Sequence, residues 1–275
     1  MKTINAKSIH MYQLNQIPSE VQIKKYLRRI LFGKNLFCPK CKSKKIFKYE
    51  NRYRCQKCRL RFSLISHTWL KDMKLSYQKF WLILWSWTTQ IPVKQAQALS
   101  KLSEEAVRYW YDKFRSNLPY NPEILEKIVQ LDEAYFRRAG LMMAKQQGTR
   151  KVAFEIFFKS PKEMCRKDAA YFLQNHVKPK SKLRTDGGGI YKGIHKWWPV
   201  RHQVDIYKKW ELGYTSEIEG IFGVLKTFIR RMYHHATPEK LPEIVGEFCC
   251  RFSSPEILDN ALNYLEKSLT VVTFD

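Results

Sequence analysis

Lys127-Ile-Val-Gln-Leu-Asp-Glu-Ala-Tyr-Phe136 is the stretch on which the fold turns. Its residues alternate as those of a strand do, placing Val129 and Leu131 on one face and Gln130 and Asp132 on the other. By the same alternation Asp132 and its neighbour Glu133 face opposite ways. Downstream, Leu141 to Ala144 and Lys151 to Phe158 read as further strands, turned at Gly148. Asp168 to Val177 reads as a helix, and Lys182 to Asp186 as a short strand running into Gly187-Gly188-Gly189. An aspartate at a strand end followed by glycines sits where a ligand or another backbone can come close. Strands, a helix, another strand and later helices describe a mixed α/β (α+β) domain. The chain has no G-x-x-x-x-G-K-[ST] loop, which argues against an NTPase of that type.

The segment Tyr214 to Arg231 completes this half. Ile218, Ile221, Phe222, Leu225 and Ile229 recur at the spacing of an amphipathic helix with one face in a core. Glu219 and Lys226 lie roughly 20° apart around such a helix, with Gly223 and Arg230 nearby. Glu217 points to the opposite flank, beside Val224 and Phe228. An ordinary solvated surface helix is the alternative reading of this segment alone. Leu241 to Phe252 and Pro255 to Leu269 read as two more helices, the second with proline well placed in its first turn. His195 to Trp198 and Trp210 are expected to pack in a core. Cys165, Cys249 and Cys250 have no metal-ligand spacing and read as ordinary thiols.

Upstream, Ser19 to Phe32 has helical spacing, with Gly33 as its stop. Cys38-Pro-Lys-Cys41 and Cys55-Gln-Lys-Cys58 follow. Two such pairs at this separation can bring four thiolates to the corners of a tetrahedron, the closed arrangement of one structural Zn2+ ion. Lysines, arginines, Phe47, Tyr49, Tyr53 and Phe62 interleave around the cysteines, a pattern suited to a zinc ribbon lying on DNA. Ser76 to Gln90 reads as a tryptophan-rich core helix. Val93 to Ser100 and Glu104 to Arg115 form a helical pair compatible with a helix-turn-helix that presents Arg108, Lys113 and Arg115, with Ser103 capping its second helix. Plain helical packing fits the same pair. Asn117 to Pro122 is the clearest linker. The expected organisation is an N-terminal helix (1–33), a zinc ribbon (34–66), a helical DNA-binding region (67–120) and a catalytic domain with C-terminal helices (121–275).

The chain has 275 residues, a formal charge of +25 and a pI near 9.8. A charge of that size favours a polyanionic partner, because each phosphate met by Lys or Arg releases counterions. Nucleic acid comes first and an anionic membrane second. The longest strongly apolar run, Phe80 to Trp87, is far shorter than the roughly 18 residues of a spanning helix. Met1 to Gln16 has no secretory apolar region. A cytoplasmic, nucleoid-associated protein with reduced thiols is the expectation.

Three carboxylates stand out: Asp132 in a strand, Asp186 at a strand end and Glu219 on a helix. Brought together they would repel one another and raise their pKa values unless divalent cations held them ionised. Two Mg2+ (or Mn2+) ions are the natural partners, serving the attacking and leaving oxygens of an in-line phosphoryl displacement. Lys226 could then grip DNA phosphate, with Arg230 beside it.

Val129-Gln-Leu-Asp-Glu-Ala-Tyr135, Arg184-Thr-Asp-Gly187, Thr215-Ser-Glu-Ile-Glu-Gly-Ile-Phe-Gly-Val-Leu-Lys226, Tyr233-His-His-Ala-Thr-Pro-Glu-Lys-Leu241 and Glu247-Phe-Cys-Cys-Arg-Phe252 resemble, in order, the motifs of the ISXO-type DDE transposases of bacterial insertion sequences. That family also carries an N-terminal zinc ribbon, matched by Cys38, Cys41, Cys55 and Cys58. The resemblance implies an RNase H-like catalytic fold, with Asp132, Asp186 and Glu219 as the Mg2+-binding DDE triad and Lys226 as the associated lysine. It implies binding of terminal inverted repeats, hydrolysis at the element end and transfer of the freed 3′-OH into target DNA, by a homodimer or larger assembly. Ser216 stands where family members have Asn, and the segment from Arg137 to Lys151 is shorter than the usual loop. Two rival functions fit the same residues: a non-catalytic, domesticated DNA-binding regulator and a structure-specific nuclease.

Overall fold

The computed structural model describes residues 17–50, 52–205 and 215–272. The chain forms two compact units, one from residues up to Pro119 together with those from Glu256 onward, the other from Tyr120 to Pro255.

In the first unit, α1 (Glu20–Phe32) begins at a capping box. The Ser19 hydroxyl accepts from the Gln22 N–H, and the Gln22 side chain accepts from the Ser19 N–H. A small antiparallel sheet follows, β1 (Ile46–Tyr49), β2 (Arg52–Cys55) and β3 (Arg61–Phe62). Then come α2 (Tyr77–Thr88), α3 (Val93–Ser100) and α4 (Glu104–Ser116), each packed on the other two. Between α3 and α4 the chain turns through Lys101 in the left-handed region (φ 54°), and the Ser103 hydroxyl accepts from the Ala106 N–H at 3.2 Å.

The last helix, α8 (Ala261–Ser268), also belongs to this unit. This corrects the expectation that everything beyond residue 121 is catalytic domain. Tyr264 is the physical reason: its ring lies 5.1 Å from Trp87 and 6.0 Å from Phe114, and its hydroxyl donates to the Phe114 carbonyl at 2.9 Å. The Trp69 indole N–H donates to the Ser268 carbonyl at 3.1 Å. The helix expected from Pro255 is a 3-10 turn there, and α8 starts only after the Asn260 cap.

The second unit is built on a five-stranded sheet in the order β6-β5-β4-β7-β8. Its strands are β4 (Ile128–Phe136), β5 (Ala139–Gln146), β6 (Val152–Phe157), β7 (Lys182–Thr185) and β8 (Arg201–Val204). β4, β5 and β6 are antiparallel neighbours, whereas β4, β7 and β8 run parallel. β5 is buried along its whole length because both faces of the sheet are covered. On one face α5 (Arg166–His176) closes a core with Val129, Leu131, Met142, Ala144, Phe172, Leu183 and Tyr191. On the other, α6 (Ser216–Tyr233) packs on β4 and β5, and α7 (Leu241–Ser253) packs on β6. Trp198 packs against the α5-side core, while Trp197, expected in a core, is 45% exposed. Trp210 lies outside the described residues. Among the described residues no helix is long and apolar enough to cross a membrane.

Candidate active site

The register of two parallel strands brings the first two carboxylates together. Gln130 on β4 pairs with Arg184 on β7, and each of these is followed two residues later by an aspartate, Asp132 and Asp186. Asp186 therefore falls just beyond the carboxyl end of β7, and Asp132, midway along β4, just beyond the end of the ladder that β4 shares with β7, the side of a parallel pair where α/β sheets place ligands. The Asp186 Oδ1 accepts from the Gly188 N–H at 2.9 Å. A Cβ on Gly188 would sit 2.9 Å from that same oxygen, so a side chain there would displace the Asp186 carboxylate from this position.

Asp132 lies on the face of β4 that α6 covers, for the Gln130 side chain two residues earlier accepts from the Ile218 N–H at 3.1 Å. Burial, and then the charges of Asp186 and Glu219, push the Asp132 carboxyl up to about 6, against the Glu133 N–H and the Lys226 ammonium. Glu219 and Lys226, both exposed on α6, are thus electrostatic neighbours of Asp132. Glu219 is tethered: the Thr215 hydroxyl donates to its Oε1 at 2.9 Å, and the Thr215 N–H donates to buried Asp205 at 3.1 Å. Glu217 turns to the other flank, where it forms an ion pair with Lys145, a lysine buried on β5.

Among the described residues, the carboxylates whose oxygens lie within 4.8 Å of one another are Asp132, Glu133 and Asp186. Glu219 is not in that group, and Glu133 was not expected in it. Strand alternation does send Glu133 to the α5 side, where the Tyr191 hydroxyl donates to it. The two carboxylates nevertheless converge where the β4–β7 ladder ends, beside the Asp186 turn. Glu133 is pushed up to about 7, first by burial and then by the charges of Asp132 and Asp186, with the Tyr191 hydroxyl pulling the other way. Clustered oxygen donors of this kind fit a hard divalent cation such as Mg2+ or Mn2+.

The four ribbon cysteines also converge, with all four Sγ atoms within 4.8 Å of one another. Cys38 and Cys58 Sγ are 3.4 Å apart, and Cys41 and Cys55 Sγ 3.5 Å. A tetrahedral zinc thiolate site has sulfur separations of about 3.8 Å, so the donor set fits one structural zinc with slight expansion. Each knuckle closes through a left-handed residue after its second cysteine, Lys42 (φ 56°) and Arg59 (φ 60°). Lys42 adopts that geometry without glycine.

The expected DNA-facing residues divide. Arg108 is exposed and paired with Glu104 at 2.6 Å, Lys113 lies 6.0 Å over the exposed Tyr109 ring, and Arg230 is exposed on α6. Arg115 is a correction. Its side chain is only 4% exposed and is ion-paired with Asp112, because at its position α4 faces the unit's core.

A sheet in this order, with two aspartates brought together by its parallel β4–β7 pair and a helix bearing an acid across them, is the RNase H-like arrangement expected from the sequence. Residues 124–253 match the model of the ISXO2-like transposase domain, and residues 18–61 that of the transposase zinc-ribbon domain. The chain belongs to the ISXO-type zinc-ribbon DDE transposases. Similar solved structures include the catalytic core domain of BIV integrase, 14% identical over 46% of this chain and 82% of that one, with a TM-score of 0.32. A simian T-cell lymphotropic virus intasome, in complex with a PP2A regulatory subunit, is 15% identical over 53% of this chain and 57% of that one, with a TM-score of 0.34. No curated protein matches.

Proposed function

We propose that this chain is the transposase of a bacterial insertion sequence, acting in the cytoplasm on nucleoid DNA. It binds the terminal inverted repeats of its element, hydrolyses a phosphodiester at the element end and joins the freed 3′-OH to target DNA. The observation that carries this reading is the placement of Asp132 and Asp186 at matching positions on adjacent parallel strands, with Glu219 and Lys226 close enough to act on Asp132 electrostatically.

In this reading Asp132, Asp186 and Glu219 hold the metal, and the tether through Thr215 to Asp205 keeps Glu219 from swinging into solvent. Two divalent ions, when bound, supply Lewis-acid stabilisation of the attacking and departing oxygens. Lys226 contributes a positive charge at the DNA phosphate, and Arg230, one turn further along the exposed side of α6, extends that surface. The turn at Gly187-Gly188-Gly189 leaves the backbone open to a close approach. No protein nucleophile is required. Arg108 and Lys113, together with the zinc-held ribbon, are the proposed contacts to the element end, their affinity falling with salt as phosphate contacts do. Synapsis of two ends calls for a homodimer or larger assembly.

A labelled duplex carrying the element end, incubated with purified protein, Mg2+ or Mn2+ and target plasmid, tests the proposal. Cleaved 3′-ends covalently joined to target support it. Cleavage without joining would indicate a nuclease, and binding without either product a non-catalytic regulator.

A further inference from the structure

The proposed triad does not account for Glu133. This carboxylate is half-buried on β4, beyond the last residue of that strand that pairs with β7, and its oxygen lies within 4.8 Å of a ligand oxygen on both Asp132 and Asp186. The side chain is held in place by the hydroxyl of Tyr191, which is itself fully buried in the 3-10 turn Gly189–Tyr191 beyond the Asp186 loop. One chain segment, Asp186 to Tyr191, thus supplies both a carboxylate and the group that orients a second one. The charges acting most strongly on Glu133 are those of Asp132 and Asp186, and both are negative. Three carboxylates converging in this way, one of them locked by a buried tyrosine, are mutually repulsive without a cation and together offer the oxygen donors that a hard divalent ion takes.

We infer that Glu133 is a further metal ligand of the catalytic centre, forming with Asp132 and Asp186 the cluster that binds the divalent ion in the DNA-free protein, with Tyr191 as its positioning residue. The inference rests on the metal-dependent transposase reading. It adds a ligand from the opposite face of the same strand, whereas Glu219 reaches the site from α6.

Isothermal titration of Mn2+ into the full-length, zinc-loaded protein without DNA reads this directly. Glu133→Gln keeps the size of the side chain and an acceptor for Tyr191, and it is expected to weaken Mn2+ binding by at least about tenfold, no less than loss of an outer partner does. Asp132→Asn is the reference and should also weaken it. Glu133→Gln binding Mn2+ within about twofold of the unaltered protein, while Asp132→Asn binds poorly, overturns the Glu133 assignment and leaves the transposase reading intact. Absence of any Mn2+ site in the unaltered protein overturns the inference, and the joining assay then decides the transposase reading by itself. Should Glu133→Gln fail to fold, Tyr191→Phe takes its place. It leaves the carboxylate but frees it, weakened Mn2+ binding is expected, and unchanged affinity overturns the inference.

Discussion

At the scale of single residues, two neighbouring acids on one helix have opposite fates. Glu217 neutralises the buried Lys145, whereas Glu219 is exposed, held by Thr215 and felt by Asp132. Glu217→Ala leaves an ammonium buried without its carboxylate and should cost about 1–3 kcal/mol in chemical denaturation, the lower end reflecting the part-exposed glutamate. Glu219→Ala should change stability by no more than about 0.5 kcal/mol, as surface substitutions do. A larger stability loss in Glu219→Ala than in Glu217→Ala would reverse these roles. The choice between the two was legible from helical geometry alone, since the angular position of Glu217 sets it away from Lys226. The part played by Glu133 was not, because period-two alternation gives the face from which a side chain leaves and not what a distant loop, here Asp186 to Tyr191, brings round to it. The acidic cluster also sets a pH dependence. Asp132 and Glu133 hold their protons more tightly when folded, so the folded chain binds more protons and the stability these groups contribute falls as pH rises. The decline begins near their ordinary values of 3.8 and 4.5 and is complete above about 6 and about 7. In metal-free protein the melting temperature should therefore fall from pH 4.5 to pH 7 more steeply in the unaltered chain than in Asp132→Asn. Equal slopes would show that the cluster carries no such strain.

At the scale of elements, β4 was legible because its apolar and polar residues alternate and its two faces meet different helices. β8 was not seen: Arg201 to Val204 is a short, polar edge strand with no buried residue, so its sequence carries no strand period. β5 was expected only over Leu141 to Ala144, yet it runs from Ala139 to Gln146, since a strand covered on both faces keeps even Lys145 and Gln146 inside. The ribbon shows the opposite economy. Its strands bury little beyond Cys55 and Phe62, so cysteine spacing, and not periodicity, revealed it. Metal coordination then supplies most of its folding free energy, on the order of 10 kcal/mol in zinc-finger peptides. Cys55→Ser, or exhaustive chelation, should release zinc, open the ribbon to protease and weaken DNA binding, while the unit from Tyr120 to Pro255 keeps its fold and its Mn2+ site. Zinc content by mass spectrometry with limited proteolysis checks this. A protease-resistant ribbon without zinc would contradict it.

At the scale of the whole molecule, a formal charge of +25 and the two family matches point to a DNA enzyme, but the division of the chain could not be read from its order. The final helix returns to the aromatic core of the first unit, a long-range contact that no local pattern encodes. Tyr264→Ala should accordingly destabilise the first unit by about 3–5 kcal/mol, as loss of a large buried aromatic does, and leave the Mn2+ site of the second unaltered. Equal destabilisation of both units in denaturation would contradict that assignment. The central claim is that Asp132, Asp186 and Glu219 form the reaction centre of a transposase, and its most direct test is strand transfer by full-length protein in Mg2+. Asp132→Ala, Asp186→Ala and Glu219→Ala should each abolish joining of the element's 3′-end to target DNA while binding that end nearly as tightly as the unaltered protein; joining retained by any one of them would contradict the account.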